Sequence, residues 1–118
     1  MKTDGLKQPA GEQPSQEQAT REQKVYMVLA AIPSGTVVTY GQVAELAGLP
    51  RAARMVGRIL GKLPKDTQLP WHRVVNAAGK ISLAEESQSF KLQKARLQEE
   101  GIVFNNNRVS LKKCNWQP

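Results

Sequence analysis

Residues 40–63, YGQVAELAGLPRAARMVGRILGKL, restrict the fold of this chain more than any other stretch. Val43, Ala44, Leu46 and Ala47 repeat at helical spacing and predict one short helix. Gly48-Leu49-Pro50 then breaks the chain, with glycine after the first helix and proline ahead of the next. From Arg51 to about Lys62 the period resumes: Met55, Val56, Ile59, Leu60 and Leu63 make an apolar stripe. Arg51, Arg54, Arg58 and Lys62 lie mostly off that stripe. Two helices joined by a tight turn, the second of them basic, is the helix-turn-helix pattern.

The flanking sequence sets the elements around it. Residues 1–19 are rich in Gln, Glu, Pro and Gly and are expected to form a disordered tail, because they bury too little to offset ordering entropy. Residues 20–118 are expected to form one domain. Thr20 is a predicted N-cap for a helix carrying Val25, Val28, Leu29 and Ile32, which Pro33-Ser34-Gly35 should stop. TVVTY, residues 36–40, is β-branched and short and predicts a strand or an extended lead-in. RVVN and KISL, either side of Ala77–Gly79, predict a small hairpin. Gln88 to Glu100 predicts a helix with Phe90, Leu92, Ala95 and Leu97 inside. IVF and RVSLKK around Asn105–Asn107 predict a last hairpin. The expected fold is α/β, a winged-helix DNA-binding domain with a helix-turn-helix and small β-hairpins.

Charge narrows the partner. The formal net charge is +7. Residues 51–80 alone hold seven lysines and arginines against one carboxylate, Asp66. Such a concentration suits a polyanion better than a small acid. Cys114 is the only cysteine and His72 the only histidine. An intramolecular disulfide is therefore excluded, and a zinc site is not expected. No cofactor is implied. The sequence has no apolar run near the ~20 residues of a membrane span, and its start lacks a signal-type stretch. A cytoplasmic protein is expected, nucleoid-associated in a bacterium.

The stretch LPWHRVVNAAG, residues 69–79, carries the chemistry. A histidine beside a thiol can generate a reactive thiolate. Here Trp71 precedes His72, and an indole N–H is a donor with no nucleophilic heteroatom. Ser34, Ser82 and Ser110 are remote in sequence and none has a nucleophile-elbow context. The motif offers a base and no evident nucleophile.

PWHRVVN, taken with TYGQVAELAG and RAARMVGRIL, resembles the DNA-binding domain of the O6-alkylguanine-DNA alkyltransferases, whose motif reads P-C-H-R-V. Tryptophan in place of the acceptor cysteine resembles the alkyltransferase-like proteins more closely still, as does the closing Cys114-Asn115-Trp116-Gln117-Pro118. The resemblance covers about residues 23–118 and implies the following roles. The second helix of the helix-turn-helix enters the minor groove, with Arg51, Arg58, Lys62 and Arg73 as further DNA-binding groups. Arg54 is the finger that fills the space left by a flipped base. Tyr40 pushes on the phosphate and contacts the base. Trp71 lines the lesion pocket with His72, and the carbonyls of Trp71 and Val74 face the guanine edge. Glu100 orients His72 in support. The pattern departs from some alkyltransferase-like proteins at Ala84, where those carry an extra arginine.

On this resemblance the expected function is a non-enzymatic damage sensor. It binds O6-alkylguanine in duplex DNA, flips the base without removing the alkyl group, and marks the lesion for nucleotide excision repair proteins. A monomer is expected. Two other readings stay open on the sequence: an alkyltransferase using Cys114, and a winged-helix transcription regulator.

Overall fold

The computed structural model describes residues 19–118. The expected tail, up to residue 18, lies outside the described residues. Helix α1 runs Arg21–Ala31. Thr20 caps it as expected: its side chain accepts from the Gln23 backbone N–H, and the Gln23 side chain accepts from Thr20 N–H at 2.8 Å. This reciprocal capping box satisfies two donors that a helix start leaves unpaired. The same device recurs at Thr39 and Gln42, where it opens α2, Tyr40–Leu46. Helix α3 follows at Ala53–Gly61.

The second helix thus starts two residues later than the sequence predicts. Arg51 has φ +65° and belongs to the turn, and Ala52 is an N-cap without a side-chain cap bond.

Strand β1, Val38–Thr39, pairs in parallel with β2, Val74–Val75, with Val38 opposite Val74 and Thr39 opposite Val75. Successive side chains of a strand face opposite ways, so this small ribbon divides the interior. On one side Val38 and Val74 join Val25, Leu29 and Ile32 of α1, Val43 and Ala44 of α2, and Val56 and Ile59 of α3. On the other, Val37 and Val75 join Leu97, Ile102 and Val109. All four valines are fully buried. Each fully buried aliphatic side chain contributes about 1.5–3 kcal/mol relative to exposure.

The first expected hairpin does not form. Val74–Val75 is claimed by β1, and Asn76 closes a turn instead: its Oδ1 accepts from Ala78 N–H and Lys80 N–H. Lys80 then bridges to Arg108. Gly79 lies in the left-handed region at φ +81°, and a Cβ there would sit 2.5 Å from the Val109 carbonyl oxygen. The second hairpin does form, as β3 Phe104–Asn105 against β4 Arg108–Val109. It is shorter than predicted, because Leu111–Cys114 coils into the single-turn helix α5. Helix α4, Gln88–Glu99, buries Phe90, Gln93 and Leu97. Leu92 and Ala95, expected inside, are exposed; the buried face carries a glutamine where the apolar reading had placed them. Among the described residues, no helix is long and apolar enough to cross a membrane.

Candidate nucleic-acid interface

Trp71–Arg73 forms one turn of 3-10 helix between Pro70 and β2. The turn swings His72 inward, where it is 7 % exposed. Its Nε2 lies 2.8 Å from Glu100 Oε2. Glu100, capping the C-terminal end of α4, also accepts from Arg73 Nε at 3.0 Å and Nη2 at 2.7 Å, and from Gly35 N–H at 3.1 Å. Burial alone would raise the Glu100 pKa, but the hydrogen bonds from Arg73, His72 and Gly35 outweigh it and hold the carboxyl at about 2. Burial pushes the His72 pKa below 6.5, against the pull of Glu100.

The contact with Glu100 sets the tautomer of the neutral ring. An ionised carboxylate only accepts, so the neutral ring carries its proton on Nε2. Nδ1 is then a bare acceptor, buried and without a hydrogen-bond partner among the described residues. The base that the sequence suggested is present, and the residue beside it is an indole.

Trp71 is half-buried and belongs to neither apolar cluster. Its ring meets His72 edge-on, with centroids 6.2 Å apart at 88°. The Arg96 guanidinium stands 5.6 Å from the indole centroid. Beside this turn opens a groove of about 650 Å³, lined by Gln68, Leu69, His72, Arg73, Arg96 and Glu100 among others. Val74 is wholly buried as a side chain, and its carbonyl accepts from Gln93 Nε2 at 2.9 Å. The same amide donates to the His72 carbonyl at 3.1 Å.

The helix-turn-helix presents the charges. Arg54, Arg58 and Lys62 are exposed at four-residue spacing on α3 and its C-cap, with exposed Arg51 just ahead of the helix. Among the described residues, no carboxylate pairs with any of them. Tyr40 is the first residue of α2, partly buried against the main core. A Cβ on Gly57 of α3 would lie 4.0 Å from its ring, so the tyrosine rests on the basic helix between Arg54 and Arg58 in sequence.

Arg73 is half-buried. It was expected among the DNA-binding groups, yet its guanidinium is committed inward, to Glu100 and to the Ile32 carbonyl at 2.7 Å. These bonds use one N–H on each of its three nitrogens and leave two of the five guanidinium N–H groups without a recorded partner. Cys114 is also occupied: its Sγ donates to the Ser110 carbonyl at 3.0 Å, burial raises its pKa, and it packs on the second cluster. A thiol held protonated is a poor acceptor for an alkyl group. Sequence reasoning missed Gln93 and Arg96. Gln93 carried a readable signal, since it stands three residues after Phe90 and four before Leu97 on a face that should be apolar.

Residues 20–102 match the family model described as 6-O-methylguanine DNA methyltransferase, DNA binding domain. A DNA base-flipping protein of Vibrio parahaemolyticus is 45% identical over 96 residues, covering 80% of this chain and 94% of that protein. Alkyltransferase-like protein 1 of Schizosaccharomyces pombe is 40% identical over 100 residues, covering 80% and 93%. The crystal structure of S. pombe Atl1 in complex with damaged DNA containing O6-carboxymethylguanine superposes with a TM-score of 0.77 at 38% identity, over 83% of this chain and 95% of that one.

Proposed function

Because this chain belongs to the family of the 6-O-methylguanine DNA methyltransferase DNA-binding domain, we propose that it is a DNA damage sensor that flips O6-alkylguanine out of duplex DNA and leaves the alkyl group in place. One observation carries the reading: an indole stands beside a buried histidine whose Nδ1 has no hydrogen-bond partner among the described residues and no thiol beside it to deprotonate. Chemistry stops there, and binding remains.

Each step has a residue. Arg51, Arg58 and Lys62 neutralise phosphates while α3 lies in the minor groove. Arg54 enters the stack as the base leaves, replacing lost stacking with a planar cation. Tyr40, held on α3, crowds the phosphate of the extruded nucleotide. Trp71 receives the base; aromatic stacking is worth about 1–3 kcal/mol per base, comparable to the few kcal/mol that extrusion costs. A damaged pair is weaker, so flipping itself favours the lesion. The His72–Glu100–Arg73 network holds the turn that carries Trp71. The protein acts as a monomer, and the gripped adduct, which this chain has no means to remove, passes to nucleotide excision repair proteins.

Titration of a duplex containing O6-methylguanine against the same duplex with guanine tests this reading, with a fluorescent base opposite the lesion to report extrusion. Tighter binding and a flipping signal for the lesion duplex are expected. Equal affinity with no signal would contradict the reading.

A further inference from the structure

The Trp71 indole is half-buried. It lies outside both apolar clusters, and among the described residues no side-chain hydrogen bond fixes it. His72 meets it edge-on and the Arg96 guanidinium lies over its ring. Arg96 stands on α4 with no carboxylate paired to it among the described residues, so its charge is not spent elsewhere. The helix and the turn are joined, because Gln93, less than one turn before Arg96, donates to the carbonyls of both His72 and Val74. Gln93 is 2 % exposed, so this double bond is shielded from water.

We infer that Arg96 is a positioning residue for lesion recognition: stacked on Trp71 from α4, it holds the indole in the orientation that meets the flipped base. The inference rests on the function proposed above. A cation over an indole face is attracted by the ring quadrupole, and Trp is the strongest partner among the aromatic side chains. A wall already held in place loses less rotamer freedom when a base lands on it. Arg96 therefore acts through Trp71, and its effect falls on damaged DNA alone. A phosphate-binding arginine would act on every duplex alike.

The test uses the full chain carrying Trp116→Phe, so that Trp71 is the one remaining tryptophan. Arg96, Arg96→Lys and Arg96→Met forms are compared, methionine keeping helix propensity and length without charge. In the free protein, Arg96→Met should change Trp71 emission and its acrylamide quenching while far-UV dichroism stays the same. Affinity for the O6-methylguanine duplex should fall about three- to tenfold, and affinity for undamaged duplex should stay within about twofold. Arg96→Lys should recover part of the loss. Unchanged Trp71 quenching would overturn the inference, as would an equal loss on both duplexes. A parent protein with no lesion preference would instead overturn the proposed function, and the quenching of Trp71 would still decide whether Arg96 holds it.

Discussion

His72 donates from Nε2 to a carboxylate that Arg73 keeps ionised, which leaves Nδ1 as a buried acceptor. The arrangement makes stability depend on acid. Burial lowers the His72 pKa, so the fold prefers the neutral ring, and this contribution is present above pH 6.5 and lost as pH falls. The Glu100 contribution is present above 4.5 and is lost as pH falls towards about 2. Urea melts should therefore show two successive losses on acidification, and His72→Gln should remove the upper one. Arg54 has the opposite character. It is exposed and unpaired among the described residues, so Arg54→Ala should leave melting unchanged and weaken lesion binding by about 1–2 kcal/mol, read by anisotropy and by loss of the flipping signal. The difference between these residues explains what the sequence could tell. Arg54 and Trp71 are marked by motif. Arg73 and Arg54 look alike in sequence; only the fold reveals that Arg73 faces a carboxylate 27 positions away.

Among the elements, the helix-turn-helix is tied to the end of the described chain. Gln42 of α2 accepts from Asn115 Nδ2 and donates to the Trp116 carbonyl at 3.2 Å, while its Oε1 also completes the Thr39 capping box. Asn115 donates in addition to the Val37 carbonyl at 3.1 Å. Asn115→Ala removes one of two donors from each of these acceptors, since the Val37 carbonyl also accepts from Trp116 N–H, and should cost about 0.5–1.5 kcal/mol in a denaturant melt, with DNA affinity following only through the folded fraction. This link was invisible in sequence, because no periodicity connects residues more than seventy positions apart. The helices were legible, since each states its period and its cap. The hairpin over 74–81 was misread for a related reason: RVVN is as good a partner for the distant TVVTY as for the nearby KISL. Local pattern cannot rank the two, whereas burial of both faces of Val74–Val75 can.

Across the whole molecule, the positive charge concentrated in residues 51–80 divides into two kinds. Arg73 serves the interior, and Arg51, Arg54, Arg58 and Lys62 are exposed on α3 and at its two ends. Binding to undamaged duplex should fall with salt at a log–log slope of about −2.7 to −3.6, for three or four phosphates neutralised. Arg58→Ala should make that slope shallower by about 0.9 and lower the affinity for damaged and undamaged duplexes alike. Salt dependence measures the grip on the backbone; the fate of the alkyl group measures what happens at Trp71. The most direct measurement is the mass of both partners after prolonged incubation of the protein with a duplex containing O6-methylguanine. The duplex is expected to return with its methyl group and the protein with its mass unchanged, while binding still favours the lesion. A protein heavier by one methyl group, with guanine restored in the DNA, would contradict the account.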